Sequence, residues 1–363
     1  MNLIFFFISK IYMAALHLYN FFIYIGIAPT HRFSIPIISI GNITLGGSGK
    51  TPFVYYLSQI LTQYKIRHVI VSRGYKRTSS GTCVVHDGKT MLPVSPSNCG
   101  DEPFMLASQL EKTPIVVDNK KVRAIKYAIT HFSPQIVLLD DSFQSKYIEK
   151  NLDIVLFNTL TKPGELQLFP LGKLRENIKS LHRADLVIFT KHNLLNTGNS
   201  TLKMVLPTIK EYQVPYIYSE MHSSLIQFIM NHKKPRGWKK IAILQNLSKL
   251  NKLFSFCGIG DPDSFERTTV KYKKNIVKHV SFADHYSYCQ NETVFLKRLQ
   301  ILYQDAGVTG LITTYKDFVK IQSLSRVFLD WCYKVNFSFF IVDIKINIAD
   351  EDWLIQKTKN LIL

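Results

Sequence analysis

SIPIISIGNITLGGSGKTPFVYYLSQILTQY, residues 34–64, runs through three kinds of sequence in turn. SIPIIS is an apolar run that reads as a buried strand, and FVYYLSQILTQY repeats its apolar residues at helical spacing. Between them lies a glycine-rich loop. Gly46, Gly47 and Gly49 let the backbone turn sharply and aim N–H groups at an anion. A helix beginning near Lys50 adds the partial positive charge of its N-terminus. Lys50 can then reach β- and γ-phosphates, and the Thr51 hydroxyl can ligate Mg2+. Strand, glycine loop and helix in this order predict a P-loop that takes a nucleoside triphosphate with Mg2+. The common pattern has glycine where Thr44 stands, so the motif rests on context as much as on spelling.

The chain has 363 residues, enough for about two domains and a sizeable core. Hydrophobic residues make up 46% of it, which excludes a disordered chain. Cysteines at 83, 99, 257, 289 and 332 have no C-x-x-C spacing. Neither a zinc site nor a disulfide framework is indicated, and a reducing compartment fits. A formal net charge of +19 calls for an acidic partner: nucleic acid, an anionic membrane surface or an anionic substrate. The aromatic-rich basic motifs of RNA-binding modules are not seen. No obligate protein partner is indicated.

MNLIFFFISKIYMAALHLYNFFIYIGIAP is apolar over almost its whole length, broken by Lys10, His17 and Asn20. It carries no positive charge ahead of the apolar core and no small-residue cleavage site, so it does not read as a secretory signal. Residues 11–28 nearly meet the ~20 apolar residues that a spanning helix needs. The less apolar positions recur every three or four residues, however, at 9, 10, 13–14, 17, 20 and 24, a weakly polar stripe. That stripe favours a helix lying in the membrane surface over one that spans it or is buried in the protein. Nearby Lys and Arg would strengthen docking to anionic lipid.

Apolar runs at 35–40, 68–72, 114–117, 136–140, 153–157 and 185–190 alternate with helix-like stretches at 52–64, 102–111 and 120–131. The alternation predicts a parallel, helix-covered sheet, with ligands at the carboxyl ends of its strands. LLNTGNSTLK, 194–203, reads as a connection, and HKKPRGWKK, 232–240, as a solvated basic loop. Strands at 253–257, 276–280, 309–313 and 337–343 predict a second α/β unit. The expected class is α/β: a P-loop NTPase-type parallel sheet, a second, smaller α/β domain and an N-terminal membrane-associated helix. The expected segments are 1–28, 29–193 and 194–363. The last would close over the active site and could return its C-terminal end to the first domain.

IVLLDDSFQ, 136–144, is a strand that ends in two carboxylates. Beside a P-loop, Asp140 and Asp141 can hold Mg2+ or orient water around it; otherwise such a pair caps a turn or helix. GDEP, 100–103, offers Asp101 and Glu102 either as a base or metal partner near phosphates, or as the start of a helix with Pro103 in its first turn. Arg123 in VVDNKKVRA and Arg175 in FPLGKLREN are phosphate contacts or surface ion-pair partners. FADHYSY, 282–288, brings Asp284, His285 and Tyr288 together. His285 is either a packed histidine or the tuning partner of a carboxylate base.

GNITLGGSGKTP, SRGY, GDEP, DDSFQ, FPLGKLRE, RAD, FCGIGDPDSF, FADHYSY and TYKD, taken in this order, resemble the tetraacyldisaccharide 4'-kinase family. The likeness runs from the apolar N-terminus to about residue 320. It implies an ATP- and Mg2+-dependent enzyme on the cytoplasmic face of the inner membrane. Such an enzyme phosphorylates the 4'-hydroxyl of an acylated glucosamine disaccharide 1-phosphate to lipid IVA in lipid A assembly. It also implies that Thr44, Leu45, Gly46, Gly47, Ser48, Gly49, Lys50 and Thr51 bind the nucleotide, so that Thr44 is a family trait. Asp101 is implied as catalytic base with His285 assisting, and Glu102, Asp140, Asp141 and Gln144 as the metal and phosphate side. Arg123 and Arg175 are implied as phosphate contacts. Three residues depart from the family's usual spelling: Ser142 for glycine, Ser145 for histidine and Tyr315 for glutamate. A reading of another class is a membrane-bound P-loop switch with no lipid acceptor, which would have no use for a base aimed at a sugar hydroxyl.

Overall fold

Ile37, Ile38 and Ile40 are buried because the strand they form is flanked on both sides. The computed structural model describes residues 3–27, 29–195, 200–230, 238–244, 247 and 252–362. In chain order the strands are β1 (Ile37–Asn42), β2 (His68–Ser72), β3 (Cys83–His86), β4 (Ile115–Val117), β5 (Ile136–Asp140), β6 (Leu152–Asn158), β7 (Leu186–Thr190), β8 (Tyr216–Met230), β9 (Trp238–Leu244), β10 (Leu253–Cys257), β11 (Ile276–Ser281), β12 (Gly310–Thr314) and β13 (Ser338–Ile348). The chain falls into two compact units. The first holds Met1–Val94, Leu106–Met221 and Ile346–Leu363; the second holds Ser95–Met105 and His222–Lys345. GDEP therefore goes with the second unit, and the helix Ser200–Glu211 with the first.

In the first unit the strand order is β8-β7-β6-β1-β5-β2-β4-β3, parallel except at the β3–β4 edge. Strands covered on both faces need near-continuous apolar sequence, and β1, β2, β5, β6 and β7 are buried at every position. Ala124, Ile125 and Ala128 of the helix Lys121–Phe132 pack on Val69, Val71, Val137 and Leu139. Val205 and Ile209 of the helix Ser200–Glu211 pack with Val155, Phe157, Val187 and Phe189. The second unit has its own sheet, in the order β11-β10-β12-β13-β8, with β9 antiparallel on β8. Its core is aromatic: Trp238, Phe254, Phe256, Tyr288, Phe295, Phe318, Phe328 and Phe339.

The α/β class and the parallel sheet expected from the sequence are present. Runs 68–72, 136–140 and 253–257 are strands end to end. The run at 35–40 is shifted to 37–42, because Pro36 has no N–H to give a ladder and Gly41 and Asn42 pair with Val155 and Leu156. β8 escaped the sequence reading because YIYSEMHSSLIQFIM mixes Ser, Glu and His into a half-exposed strand. The helix Ser200–Glu211 starts inside the stretch read as a connection, of which 196–199 lie outside the described residues. Of the basic stretch 232–240, residues 232–237 also lie outside them, and Trp238–Lys240 open β9.

Gly41 shows how tightly β1 meets the segment that follows β5. A Cβ there would lie 2.5 Å from Phe143 Cβ and 2.7 Å from the Phe143 backbone nitrogen. Gly41→Ala must therefore push Phe143 and its segment away, and should cost ~1–3 kcal/mol, the scale of an overpacked core. A denaturant midpoint equal to the parent's would show that the two segments separate freely.

Candidate active site

The P-loop lies at the carboxyl end of β1 and is held from several sides. Asn42 donates from Nδ2 to the Thr44 carbonyl at 2.6 Å and to Ser48 Oγ at 2.9 Å. Thr44 pairs with Leu174, the Leu45 N–H donates to the Lys173 carbonyl at 2.6 Å, and the Arg175 N–H donates to the Ile43 carbonyl at 2.7 Å. The Thr190 hydroxyl donates to the Ser48 carbonyl at 3.0 Å, and Lys191 Nζ to the Gly47 carbonyl at 2.9 Å. Gly46 and Gly49 have φ of 99° and 87°, in the left-handed region, and the helix starts at Lys50. Thr51 is buried in the first turn of that helix. Residues 44–51 thus form a cradle at a helix N-terminus, the arrangement that binds phosphate.

The acid pair stands one strand away. Asp140 closes β5, is buried, and accepts from the Ser72 hydroxyl at 3.0 Å. Asp141 follows in the left-handed region, φ 48°. Its carboxylate lies 3.5 Å from Lys50 Nζ and accepts from Arg175 Nη1 at 2.9 and 3.0 Å. Burial opposes ionisation of Asp141, but the charges of Lys50, Arg175 and Lys121 outweigh it and hold the carboxyl below its usual range. Lys121 is buried, and its Nζ donates to the carbonyls of Asp140 (3.0 Å) and Asp141 (2.5 Å) and to Ser142 Oγ (2.6 Å). Burial lowers its pKa to about 8 against the pull of Asp141 and Asp140. Gln144 donates to the Asn42 carbonyl at 2.9 Å.

In the second unit, Asp101 is the first residue of the helix Asp101–Gln109. Its Oδ2 lies 3.0 Å from His285 Nδ1 and 3.0 Å from Lys320 Nζ. Burial opposes the Asp101 charge. The His285 hydrogen bond and the Lys320 and Lys316 ammoniums overcome it, so the carboxyl is held below its usual range. An ionised carboxylate at Nδ1 requires that nitrogen to carry the proton. His285 Nε2 lies 3.5 Å from Lys316 Nζ and 3.7 Å from Asp284 Oδ2. Lys316 also reaches Glu102 at 3.3 Å and Asp284 at 3.2 Å. His285 has φ 62°, a backbone state that a non-glycine residue holds only under tertiary constraint. Behind this group, fully buried Asp317 accepts from the Gly258 N–H, the Thr314 hydroxyl and Tyr288 Oη. Tyr315 opens the helix Tyr315–Ile321 and packs edge-on to Phe318.

The residues singled out in the sequence therefore gather in two places. Lys50, Asp141 and Arg175 share one ion cluster; Thr51 lies in the first turn of the helix that Lys50 opens, Asp140 ends β5, and Gln144 bonds the end of β1. Asp101 and His285 meet in the other. Glu102 takes Lys316 as its partner. Arg123 instead forks Asp118, from Nε at 2.7 Å and Nη2 at 2.8 Å. Lys121, Lys191, Lys316, Lys320 and Asp317 were missed. Lys191 and Lys121 had a usable signal, since each follows closely on a buried strand, at the end where ligands bind. Among the described residues no group of three or more His, Cys, Asp or Glu could hold a metal unaided. Mg2+ bound through a hydroxyl, one or two carboxylates and substrate phosphates needs no such group, and Thr51 with the acid pair fits that donor chemistry.

A phosphate cradle, a lysine at its helix start and an acid pair on the neighbouring strand define a P-loop phosphotransferase. The chain belongs to the tetraacyldisaccharide-1-P 4'-kinase family, whose sequence model it matches over residues 1–358. It is 33% identical over 309 residues to the tetraacyldisaccharide 4'-kinase of Desulfotalea psychrophila, covering 83% of this chain and 82% of that one. It is 34% identical over 290 residues to that of Chlorobium phaeobacteroides, covering 79% and 78%. Among solved structures it superposes on LpxK from Aquifex aeolicus in complex with ATP, with a TM-score of 0.71, 26% identity and 98% of each chain covered. The chain is thus an ATP-dependent kinase of lipid A biosynthesis, a phosphotransferase with an alcohol group as acceptor.

The Arg123–Asp118 pair has a pH signature. Burial opposes the Asp118 charge, but the Arg123 fork, the Thr82 hydroxyl and the Lys120 N–H hold its pKa at about 2. Unfolded, the group titrates near ~4. Its folded pKa is depressed, so its stabilisation is present above ~4 and is lost as pH falls toward 2. Arg123→Met should unfold earlier than the parent at pH 6, with the gap narrowing by pH 2.5. A gap in denaturant midpoint that stays constant with pH would contradict the pairing.

Proposed function

We propose that Asp101 is the general base that accepts the proton of the 4'-hydroxyl, with His285 holding and polarising it. The observation that carries this is the 3.0 Å contact between residues 184 apart in sequence, with His285 kept in a strained backbone state. A sugar hydroxyl is a weak nucleophile, so a positioned base must take its proton as phosphate moves. A carboxyl held below its usual range is already ionised at neutral pH and ready to accept.

On the P-loop side, Thr44–Thr51 cradle the triphosphate of ATP, and Lys50 and Arg175 neutralise charge as the γ-phosphoryl departs. Thr51, Asp140 and Asp141 would hold Mg2+. Bound there, the ion would supply charge neutralisation across the phosphates. Gln144 steadies the strand end beneath them. Arg123 enters this scheme through the Asp118 turn that it closes. The acceptor is the acylated glucosamine disaccharide 1-phosphate, which is both greasy and anionic, and the site of action is the cytoplasmic face of the inner membrane. The helix Leu3–Tyr24 is long and apolar enough to cross a membrane, yet Ser9 and Asn20 of its polar stripe bind the protein body, which supports a helix lying in the anionic membrane surface.

Purified protein incubated with labelled ATP and the disaccharide 1-phosphate should transfer label to the lipid, read by lipid chromatography. Lys50→Ala should lose at least ~10²-fold, the scale of one preorganised electrostatic contact. Asp101→Asn and His285→Ala should each lower kcat by ~10²–10⁴-fold with a smaller change in ATP KM. Their double variant should be little worse than the poorer single, because residues sharing one step are not additive. Strictly multiplicative losses would sink the dyad.

A further inference from the structure

The N-terminal helix, Leu3–Tyr24, presents two unlike faces. Phe7, Ile11, Leu18, Phe21 and Phe22 are exposed, whereas Ser9 is buried. The Ser9 hydroxyl donates to the Leu168 carbonyl at 3.2 Å, and Tyr12 Oη donates to the Arg175 carbonyl at 2.9 Å. The Tyr12 ring packs edge-on to Phe169. Further along, Asn20 accepts from Lys146 Nζ, and Lys146 is paired with Glu176 at 3.0 Å. Glu176 in turn holds Arg183.

These contacts land on one piece of backbone. Phe169 and Leu174 are paired across a tight loop, and the far arm of that loop, Lys173–Arg175, is hydrogen-bonded to Ile43–Leu45 at the entrance of the P-loop. Arg175 also carries the guanidinium that holds Asp141. The helix is thus two hydrogen bonds from the P-loop and one residue from the Asp141 ion pair. A surface anchor needs an apolar face and nearby positive charge; it does not need a hydroxyl aimed at the carbonyl of the residue that neutralises phosphate.

We infer that the helix is a positioning element as well as an anchor: Tyr12, with Ser9 and Asn20, fixes the Leu168–Glu176 segment so that Arg175 is correctly placed at the P-loop. This rests on the reading of Arg175 as a phosphate contact. The apolar face and the polar stripe then do separable work, one on lipid and one on the site.

The test pairs two sets of variants of the full-length protein in detergent-solubilised disaccharide 1-phosphate and on phosphatidylglycerol–phosphatidylcholine vesicles. Tyr12→Phe removes one hydroxyl and leaves the ring. It should bind vesicles like the parent and lose about 2- to 10-fold in kcat/KM for ATP, the scale of one net hydrogen bond. Phe7→Ser with Ile11→Ser and Phe22→Ser should do the reverse, losing vesicle binding and keeping turnover in detergent. Arg175→Gln should be impaired more than Tyr12→Phe, and the double variant should be no worse than Arg175→Gln alone, because Tyr12 acts through Arg175. Parent-like kinetics for Tyr12→Phe beside an impaired Arg175→Gln would overturn the inference alone. Parent-like kinetics for Arg175→Gln would overturn the Arg175 assignment and the inference with it.

Discussion

Ile40 lies opposite Asp140 in the register of two adjacent parallel strands, β1 and β5. Parallel neighbours end on the same side of a sheet, so this pairing alone delivers the P-loop and the acid pair to one edge. Everything else on that side follows from it. Lys50, the first residue after the loop, comes within ion-pair reach of Asp141. Lys121, which opens the helix after β4, comes under the same strand end. A register slip of β5 by one residue would turn its own side chains, Asp140 among them, to the other face of the sheet.

The same edge concentrates charge, and the balance explains its shape. Lys50, Lys121 and Arg175 converge on one carboxylate that would otherwise resist ionisation in so enclosed a place. Lys121, the most deeply buried of the three cations, is also the one whose proton is loosened, to about 8. Its three donors are all met, by two carbonyls and a hydroxyl. A buried ammonium is tolerated when it is fully hydrogen-bonded and faces opposite charge. Asp141 reaches this cluster only through a left-handed backbone turn. His285 does the same in the second unit, so strain stands at one member of each functional group of side chains.

Much of this was legible in the sequence, and the part that was not has a common cause. Strands buried on both faces announce themselves as apolar runs, which is why β2, β5 and β10 could be read to the residue. The P-loop and the acid pair carry their chemistry in adjacent residues. By contrast, Lys316 and Lys320 look like ordinary surface lysines until Asp101, Glu102 and Asp284 are brought to them by folding. Arg123 could be read as a phosphate contact or as an ion-pair partner, and the structure gives it Asp118, five residues earlier. The polar stripe of the first helix was visible, but what its Ser9 and Asn20 bind was not, nor was any role for Tyr12 outside the stripe, because their partners lie more than a hundred residues away.

The departures from the usual motif spelling show which glycines the backbone needs. A glycine is required where φ is positive or where a Cβ has no room. In the P-loop those conditions fall on Gly46 and Gly49, not on position 44, where Thr44 sits in extended pairing with Leu174. After the acid pair, the left-handed residue is Asp141 and not Ser142, so a serine at 142 meets no backbone penalty. Its hydroxyl donates to the Asp140 carbonyl at 3.0 Å and accepts from Lys121, so it adds a partner for a buried ammonium. The serine that departs from the family's usual glycine thus supplies a third acceptor for Lys121, the lysine that grips the carbonyls of both acids.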